Sequence, residues 1–309
     1  MQIPNFPIGP DQEDKTPHGS DEFPFALYES KLSRNASHRA DWHWHSEMQL
    51  CLVKSGAVYV CLSDKKLELK AGEGCFINSG MLHMIAPVED PDSTYYCIDF
   101  LPALLSLFPG SIFEKRYIDP YVGNPAFAEM AFRPSVPWQD EILTRLQTIA
   151  DLAESKLFGY EYQVAECLMQ IWLSLLQNFR PDAAKKTVVS RARNDAVARA
   201  IMTYVQAHYK EEITIDSIAE AVHYSPGECC RLFKRVTHDT IFMELLMCNP
   251  RNLISTERFL EKIWGYDNEA EINVVWVYIS YLRKKLAALH SNVQIKARRN
   301  VGYSLEEIS

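Results

Sequence analysis

The pattern of apolar and polar positions divides the 309-residue chain into a β-rich first part and a helical second part. Between Phe23 and Phe100, apolar and polar residues alternate in short runs such as "AVYVCLSDKKLELKAGEGCFINSG" and "TYYCIDF", with turn signals between them. Several short strands with regular turns indicate a β-sandwich or a small barrel. Residues 1–20 are polar and Pro-rich, and we expect them to form a disordered lead-in.

From residue 138 onward the apolar positions follow a helical period. The stretch "QDEILTRLQTIADLAESKL" predicts a helix with one apolar stripe, formed by Ile142, Leu143, Leu146, Ile149, Leu152 and Ala153. The next stretch, "YEYQVAECLMQIWLSLLQNF", has an apolar face wide enough to need a partner helix. We therefore expect a helical pair over residues 138–180, which either forms a dimer or completes the core of the β domain. The polar, charged segment 181–193 is predicted to be a linker.

Residues 194–240 contain the pattern of two short helices joined by a tight turn, in "ITIDSIAEAVHYSPGECCRLFKRVT". Ser225 can cap the second helix, and Pro226 suits its first position. The second helix buries an apolar face, and its other face carries candidate DNA contacts. These candidates are Gly227, Glu228, Arg231, Lys234 and Arg235. A helix of this kind lies in the major groove and presents side chains to base edges.

Residues 241–309 contain further helical stretches and a β-like ending, "NVQIKARRNVGYSLEE". In "EINVVWVYISYLRKKL", Val275, Ile279, Leu282 and Leu286 recur at helical spacing and are predicted to be core. The other helix faces and the tip of the final hairpin hold a second set of candidate DNA contacts. This set is Asn273, Tyr278, Tyr281, Arg283, Lys284, Lys285, Arg298 and Arg299. Asn reads adenine, Arg and Lys bind bases or phosphates, and arginines at a hairpin tip can enter the minor groove.

Two stretches in the β domain resemble the sequence motifs of cupins. "HWHSEMQLCLVKSG" supplies His43, His45 and Gln49, the last where cupins usually carry Glu, and "GEGCFINSGMLH" supplies His83. The resemblance implies that these four side chains point into one barrel mouth. Glu47 is a further candidate ligand-binding residue beside them.

Three interpretations of the histidines remain open: a metal-dependent enzyme, a ligand-sensing pocket without metal, and a structural role. Metal-binding cupins use three imidazoles and a carboxylate, and the neutral Gln49 weakens that set. Sensing is favoured because the ligand set is incomplete and because barrel mouths are common small-molecule sites. We therefore predict a small-molecule effector, with carbohydrates as one candidate class, and no catalytic residue, metal or cofactor.

The helical part resembles two families of DNA-binding proteins. "TIDSIAEAVHYSPGECCRLFKRVT", the helix before it and the N-terminal cupin pattern resemble AraC-family regulators over residues 23–240. "LISTERFLEKIWG", "EINVVWVYISYLRKKL" and "IKARRNVGY" resemble the OmpR/PhoB winged-helix domain over residues 241–307. The resemblances imply an α+β multidomain fold with a cupin-like effector domain (21–137), a helical pair (138–180), a helix-turn-helix (194–240) and a C-terminal winged helix (241–309).

Charge and cysteine usage agree with this division. The formal net charge is −8, yet residues 231–303 contain twelve basic and seven acidic residues. This local excess of positive charge is expected of the DNA-facing end. The eight cysteines show no zinc-site spacing, the N-terminus lacks an apolar signal-peptide core, and no run has the length of a membrane span. We expect a cytoplasmic protein with reduced thiols.

The function that follows is sequence-specific DNA binding by a transcription regulator. Expected partners are double-stranded DNA, a small-molecule effector, a second copy of the chain and RNA polymerase, without a membrane. One alternative is a metal-dependent cupin enzyme. Another is a recombined or engineered hybrid with impaired DNA binding, because the chain departs from both families where they join, near Ile241.

Overall fold

A computed structural model describes residues 6–9, 11–35, 37–62, 65–180, 185–208, 215–237, 241, 279, 282–283, 293–298 and 302–307. The chain divides into two compact units. The first unit consists of Met1–Pro7, Asp14–Val60 and Lys66–Ser190, and the second of Ile8–Glu13, Cys61–Lys65 and Arg191–Ser309.

The N-terminal part is built from two β-sheets. The strands are β1 (Phe25–Lys31), β2 (Ala40–His43), β3 (Met48–Ser55), β4 (Ala57–Leu62), β5 (Lys65–Lys70), β6 (Gly74–Ile77), β7 (His83–Pro87), β8 (Thr94–Phe100) and β9 (Glu129–Phe132). One sheet has the order β1-β8-β3-β6-β9 and the other β2-β7-β4-β5. The short-strand architecture expected from the alternating sequence is confirmed.

The two faces of strand β3 lie against different parts of the first unit: a cavity on one side and the main apolar core on the other. Successive strand residues point to opposite faces, so Gln49 and Cys51 share one face while Leu50 and Leu52 share the other. Gln49 lines a cavity, whereas Leu50 and Leu52 join the main apolar core. All four are buried because both faces of the strand are covered.

Two helices cover the outer face of the five-stranded sheet. They are α1 (Pro137–Ser155) and α2 (Tyr160–Asn178). Their buried residues, including Leu146 and Leu168, belong to one cluster with Leu50 and Phe76 of the sheet. The apolar stripe expected on α1 is therefore the face that packs against the β domain. Of the two roles expected for the helical pair, completing this core is the one visible within the unit.

The segment expected to be a disordered lead-in contacts the β domain at several described residues. The backbone N–H of Asp14 donates to the carbonyl oxygen of Trp44 at 2.9 Å, and the centroid of the Phe6 ring lies 4.6 Å from that of the His43 ring. The His18 side chain is only 5 % exposed. The structure differs from the expectation because these contacts are made with residues distant in sequence, which local composition does not reveal.

The second unit contains helices α4 (Ile215–Val222) and α5 (Pro226–Thr237) and the hairpin β10 (Val293–Arg298) and β11 (Gly302–Glu307). The two helices pack through Ile218, Ala219, Cys229 and Phe233, all at most 2 % exposed. In the hairpin, Ile295 pairs with Leu305 across an antiparallel ladder. Among the described residues, no helix combines the length and hydropathy that crossing a bilayer requires.

Helix α3 (Lys185–His208) begins inside the segment 181–193 that was predicted to be a linker. After Pro181 the segment has no further proline and no glycine, and it is rich in Ala, Lys and Arg. These residues have high helix propensity. The prediction was made from polarity, charge and the initial proline, and these do not distinguish a linker from an exposed helix that begins after a proline.

Candidate functional site

The structure brings the four predicted pocket residues together. His43 ends β2, His83 begins β7, and the two are partners in the antiparallel ladder. His45 lies in the turn before β3, and Gln49 lies within β3. The three histidines are at most 6 % exposed, and one ligating nitrogen from each lies within 4.8 Å of the others.

Each of the three imidazole rings is held by a backbone carbonyl. Nδ1 of His43 donates to the carbonyl oxygen of Asp41 (2.7 Å). Nδ1 of His45 donates to the carbonyl oxygen of Glu47 (3.1 Å), and Nδ1 of His83 donates to that of Met81 (2.9 Å). A carbonyl oxygen only accepts hydrogen bonds, so Nδ1 carries the ring proton in all three. In the neutral ring, Nε2 then has a free lone pair.

Burial keeps two of these rings neutral. Desolvation, followed by the charge of His45, lowers the pKa of His43 to about 3. Desolvation and the neighbouring histidines also lower the pKa of His83 well below its ordinary value. Neutral imidazole is the form that coordinates metal ions or accepts hydrogen bonds from a ligand.

The side-chain amide of Gln49 lies between two of the rings. Its Oε1 atom is 3.1 Å from His45 Nε2 and 2.9 Å from His83 Nε2. Its Nε2 atom is 3.1 Å from the thiol of Cys51. Gln49 thus completes a set of four nitrogen and oxygen donors with the three histidines.

Glu47 does not join this set. Its carboxylate Oε2 lies 3.6 Å from Nδ1 of His45, on the ring edge opposite to the cluster. The reason is that Glu47 precedes β3, so strand alternation does not carry its side chain to the Gln49 side. From this position Glu47 can orient the His45 ring.

His43, His45 and Gln49 line a cavity of about 50 Å³. Other side chains in its wall come from the N-terminal segment and from β1 and β8: Phe6, Asp14, Thr16, His18, Tyr28, Tyr95, Cys97 and Asp99. At roughly 10–15 Å³ of such volume per water, the cavity holds a few waters or an ion with a small ligand. A sugar-sized effector therefore requires the wall to move.

His18 is a pocket residue that the sequence analysis missed. Its Nδ1 lies 3.2 Å from the Tyr28 hydroxyl and 3.5 Å from Asp99 Oδ2, and its Nε2 lies 3.4 Å from Asp14 Oδ2. Burial lowers the pKa of His18, but the hydrogen bond to Asp14 and the charge of Asp99 outweigh it, so the pKa is raised. No sequence signal marked His18, because its partners meet it only in three dimensions.

Asp99 was also missed, although a signal existed. In "TYYCIDF", Tyr95, Cys97 and Asp99 alternate along one face of β8, and that face is the cavity wall. Burial raises the pKa of the Asp99 carboxyl to about 6. The Cys97 thiol donates to its Oδ2 atom at 3.4 Å.

Helix α5 has the shape expected of a DNA-reading helix. Ser225 and Glu228 form a reciprocal cap at its N-terminus: Glu228 N–H donates to Ser225 Oγ (3.4 Å), and the Ser225 hydroxyl donates to the Glu228 carboxylate (2.7 Å). The stretch "SPGE" is the sequence signature of this capping box. Glu228, a predicted DNA contact, is therefore engaged in holding the helix start.

The other predicted contacts on α5 lie on its exposed face. Gly227, Arg231, Lys234 and Arg235 are all exposed, while Cys229, Leu232 and Phe233 are buried below them. The Arg231 guanidinium lies 3.8 Å from the Glu228 carboxylate. The helix thus presents three cations, Arg231, Lys234 and Arg235, on its exposed face.

Two predicted contacts of the C-terminal region are described. Arg283 donates from Nε (2.9 Å) and from Nη2 (2.8 Å) to the carbonyl oxygen of Ile295, so it ties the helical segment to β10. Arg298 is exposed at the end of β10. Ile279 and Leu282 are buried, as their helical spacing predicted. The remaining predicted contacts lie outside the described residues: Asn273, Tyr278, Tyr281, Lys284, Lys285 and Arg299.

A β domain that contains a cavity, joined along one chain to a capped and basic helix-turn-helix, is the arrangement of a transcription regulator. Comparison with known proteins specifies the domains. Residues 31–152 match the AraC-like ligand binding domain, and residues 239–305 match the C-terminal domain of transcriptional regulatory proteins. The chain is a DNA-binding transcription regulator that combines these two domains.

Similar proteins fall into the same classes. An uncharacterised helix-turn-helix transcriptional regulator of Bacillus subtilis (strain 168), YdeC, is 29 % identical over 237 residues, which is 76 % of this chain and 79 % of that protein. The transcriptional regulatory protein DltR of Streptococcus agalactiae serotype III (strain NEM316) is 39 % identical over 67 residues, 22 % of this chain and 30 % of that protein.

Two solved structures align with the chain at low similarity. The activator CuxR aligns with a TM-score of 0.33 and 12 % identity, over 68 % of this chain and 67 % of that chain. ToxT of Vibrio cholerae O395 aligns with a TM-score of 0.35 and 8 % identity, over 73 % of this chain and 98 % of that chain.

Proposed function

We propose that this regulator is a cytoplasmic homodimer that binds a small-molecule effector in the three-histidine pocket and reads DNA with two units in tandem. One unit is α5, and the other is the winged-helix region. Tandem units about one helical turn apart would each enter a major groove. RNA polymerase is a further expected partner.

The observation that carries the proposal is the two-sided character of α5. Its apolar side is fully buried, its start is held by the Ser225–Glu228 cap, and its outer side presents Arg231, Lys234 and Arg235. A helix that only stabilised the fold would not need three exposed cations on one face. Such cations bind phosphates and base edges.

Selection of preferred sequences from a random DNA pool with the purified full-length protein tests the proposal. Two motifs separated by a fixed spacing are expected. Arg231→Ala is expected to relax the sequence preference at one motif, by about 1–3 kcal/mol. Arg145→Ala is the matched control, because this arginine lies on α1 and interacts with Gln170 and Glu141. Sequence-independent binding alone would favour the impaired-hybrid alternative.

The dimer is supported by apolar side chains left exposed by the helical pair. Leu157, Phe158 and Tyr162 are 72 %, 106 % and 87 % exposed, and Leu173 on α2 is 51 % exposed. Large exposed apolar patches mark interaction surfaces, whereas single exposed apolar residues are common. A second copy of the chain covers them in the proposed assembly.

A metal-dependent enzyme remains the second candidate, and the three-histidine cluster is the observation that favours it. Three imidazoles with open positions suit catalytic as well as sensory metal chemistry. Metal analysis that finds no bound ion, together with a His43→Ala variant whose DNA response is unchanged, would remove this candidate.

A further inference from the structure

Three cysteines form a row across the five-stranded sheet. Cys51 in β3 is the ladder partner of Cys97 in β8 on one side and of Cys75 in β6 on the other. All three are free thiols, and the Cys51 sulfur makes hydrogen-bond contacts with both neighbours. Cys97 lines the cavity beside Gln49, so the row lies on the cavity side of the sheet. Neither DNA reading nor effector binding by the histidines uses these thiols.

The backbone hydrogen bonds distinguish the two neighbours of Cys51. The N–H of Val53 donates to the carbonyl oxygen of Glu73, and the N–H of Gly72 donates to that of Val53, each at 2.9 Å. The N–H and C=O groups of Val53 therefore point toward β6, and those of Cys51, two residues earlier, point the same way. Cys51 and Cys97 consequently form the non-hydrogen-bonded kind of antiparallel pair.

A non-hydrogen-bonded pair brings its side chains closer together. Its Cα atoms are about 4.5 Å apart, against about 5.5 Å in a hydrogen-bonded pair. Disulfides span Cα separations of roughly 4.4–6.8 Å and prefer Cβ separations of roughly 3.5–4.5 Å. The ladder geometry therefore suits a disulfide between Cys51 and Cys97, and it favours this pair over Cys51 and Cys75.

Cys97 is the member of the pair that a small oxidant can reach. Its side chain lines the cavity and is partly exposed, whereas Cys51 is 1 % exposed. The cavity measures about 50 Å³, and one water needs roughly 10–15 Å³ of such volume. Hydrogen peroxide, which is little larger than water, fits this space, whereas cumene hydroperoxide carries a phenyl ring and does not.

We propose that Cys51 and Cys97 are a peroxide-oxidised pair that forms a reversible disulfide between β3 and β8. In the first step the Cys97 sulfur attacks one peroxide oxygen and the O–O bond breaks. The products are a sulfenic acid on Cys97 and one water molecule. The Cys97 thiol donates to Asp99 Oδ2 at 3.4 Å, so this carboxylate is placed to pass the thiol proton to the leaving hydroxide.

In the second step the Cys51 sulfur attacks the sulfur of the sulfenic acid. The S–S bond forms, the S–O bond breaks, and the hydroxyl group leaves as a second water molecule with the Cys51 proton. The two thiols together lose two electrons, and one hydrogen peroxide molecule is reduced to two water molecules. Because Cys51 is adjacent, the sulfenic acid is consumed before further oxidation, and an added dithiol restores both thiols.

The disulfide removes a hydrogen-bond donor from the cavity wall. In the reduced protein the Cys97 thiol donates to Asp99, and the amide nitrogen of Gln49 lies 3.1 Å from the Cys51 sulfur. A disulfide sulfur has no proton to donate, so Asp99 loses this partner. The oxidation site thus lies in the wall of the proposed effector pocket. Its chemistry does not depend on DNA binding, so its test is independent of the proposed function.

Hydrogen peroxide treatment of the reduced full-length protein, followed by thiol alkylation, tests the pair. The unalkylated chain is expected to lose about 2 Da, the mass of the two thiol hydrogens, and to regain it with dithiothreitol. Digestion with trypsin and Glu-C without reduction separates Cys75 from Cys97, because Glu89 lies between them. The expected product is a peptide pair that links Cys51 to Cys97.

Three serine variants assign the roles of the cysteines. Cys97→Ser is expected to abolish this disulfide, and Cys51→Ser to leave a sulfenic acid on Cys97 that dimedone traps. Cys75→Ser is the matched control, because Cys75 is the other ladder partner of Cys51, and it is expected to keep the disulfide. If a variant fails to fold, as judged by circular dichroism, the peptide map of the wild type still decides.

Two results overturn the proposal. One is a peroxide-treated wild type in which Cys51 and Cys97 both remain alkylatable, and the other is a peptide map that links Cys51 to Cys75. The route through the cavity has its own test, in which cumene hydroperoxide should oxidise the pair on the order of tenfold more slowly than hydrogen peroxide, since it exceeds the cavity volume. Equal rates overturn that route.

Discussion

At the residue scale, Asp99 shows how the fold sets the charge of a single side chain. Its carboxyl is 2 % exposed, and burial raises its pKa to about 6, above the unfolded value of about 3.9. As pH rises through this interval the unfolded chain loses its proton first, because its pKa is lower. The folded state therefore loses stability between about pH 4 and pH 6.

We expect Asp99→Asn to remove this loss. Relative to the wild type, the variant should gain up to about 3 kcal/mol in the free energy of unfolding between pH 4 and pH 7. Urea unfolding of both proteins at pH 4 and at pH 7 measures this difference in the free energy of unfolding. Asp151→Asn, at an exposed position of α1, is the control and should show little difference. A gain at pH 4 that does not grow toward pH 7 contradicts the argument.

Arg283 is a second residue whose role differs from the one expected. Because it donates twice to Ile295 O, Arg283→Ala should destabilise the hairpin by about 1–2 kcal/mol and weaken binding to all DNA sequences alike. Arg298→Ala, at an exposed position, should leave the stability unchanged. It should reduce the slope of log DNA affinity against log salt concentration by about one. Urea unfolding and binding at several salt concentrations distinguish the two. Loss of preference at a single base in Arg283→Ala would restore the base-reading role.

At the element scale, α5 depends on its cap as much as on its buried face. The Ser225 hydroxyl accepts from the Glu228 N–H, and the Glu228 carboxylate accepts from the Ser225 N–H, so two backbone N–H groups at the helix start are satisfied. The cap also sets the position at which the exposed cations begin. A frayed first turn would displace Arg231 in particular.

Ser225→Ala is therefore expected to cost about 1 kcal/mol of stability and to weaken DNA binding. Ser225→Asp should retain both properties, because aspartate caps helices as well as serine does. Thermal unfolding and DNA affinity of the two variants are the measurements. Equal behaviour of Ser225→Ala and the wild type would show that tertiary packing alone holds the helix start.

At the scale of the whole molecule, α2 is expected to have two separable faces. Leu168 is fully buried against the β domain, whereas Leu173 is half-exposed. The first face stabilises the unit that holds the pocket, and the second is available to another copy of the chain. Stability and assembly should therefore respond to different substitutions.

Leu168→Ala is expected to destabilise the protein by roughly 2–5 kcal/mol, because it leaves a cavity in the core. Leu173→Asp should leave stability nearly unchanged and shift the protein from dimer toward monomer. Urea unfolding and analytical ultracentrifugation measure the two effects. A monomeric wild type would remove the dimer from the proposed function.

Local chemistry in the sequence was sufficient for the elements that local forces stabilise. Strand alternation, the helical period of residues 142–153 and the Ser225-Pro226 pair predicted the β domain, α1 and the start of α5, because each depends on residues close together in the chain. The resemblance to cupin motifs placed His43, His45, Gln49 and His83 in one barrel mouth. Polarity and proline content did not predict that α3 begins at Lys185 or that the N-terminal segment contacts the β domain.

The tertiary structure decided what those residues can do. Backbone carbonyls of Asp41, Glu47 and Met81 orient the three imidazoles, and His18 and Asp99 complete the pocket wall. The carbonyl contacts join residues only two positions apart, but His18 and Asp99 come from segments far apart in the chain, so no local pattern encodes their meeting. The sequence by itself determined which donors the protein has. Only the fold decided that these side chains meet in one buried cluster, because strand pairing sets His43 beside His83.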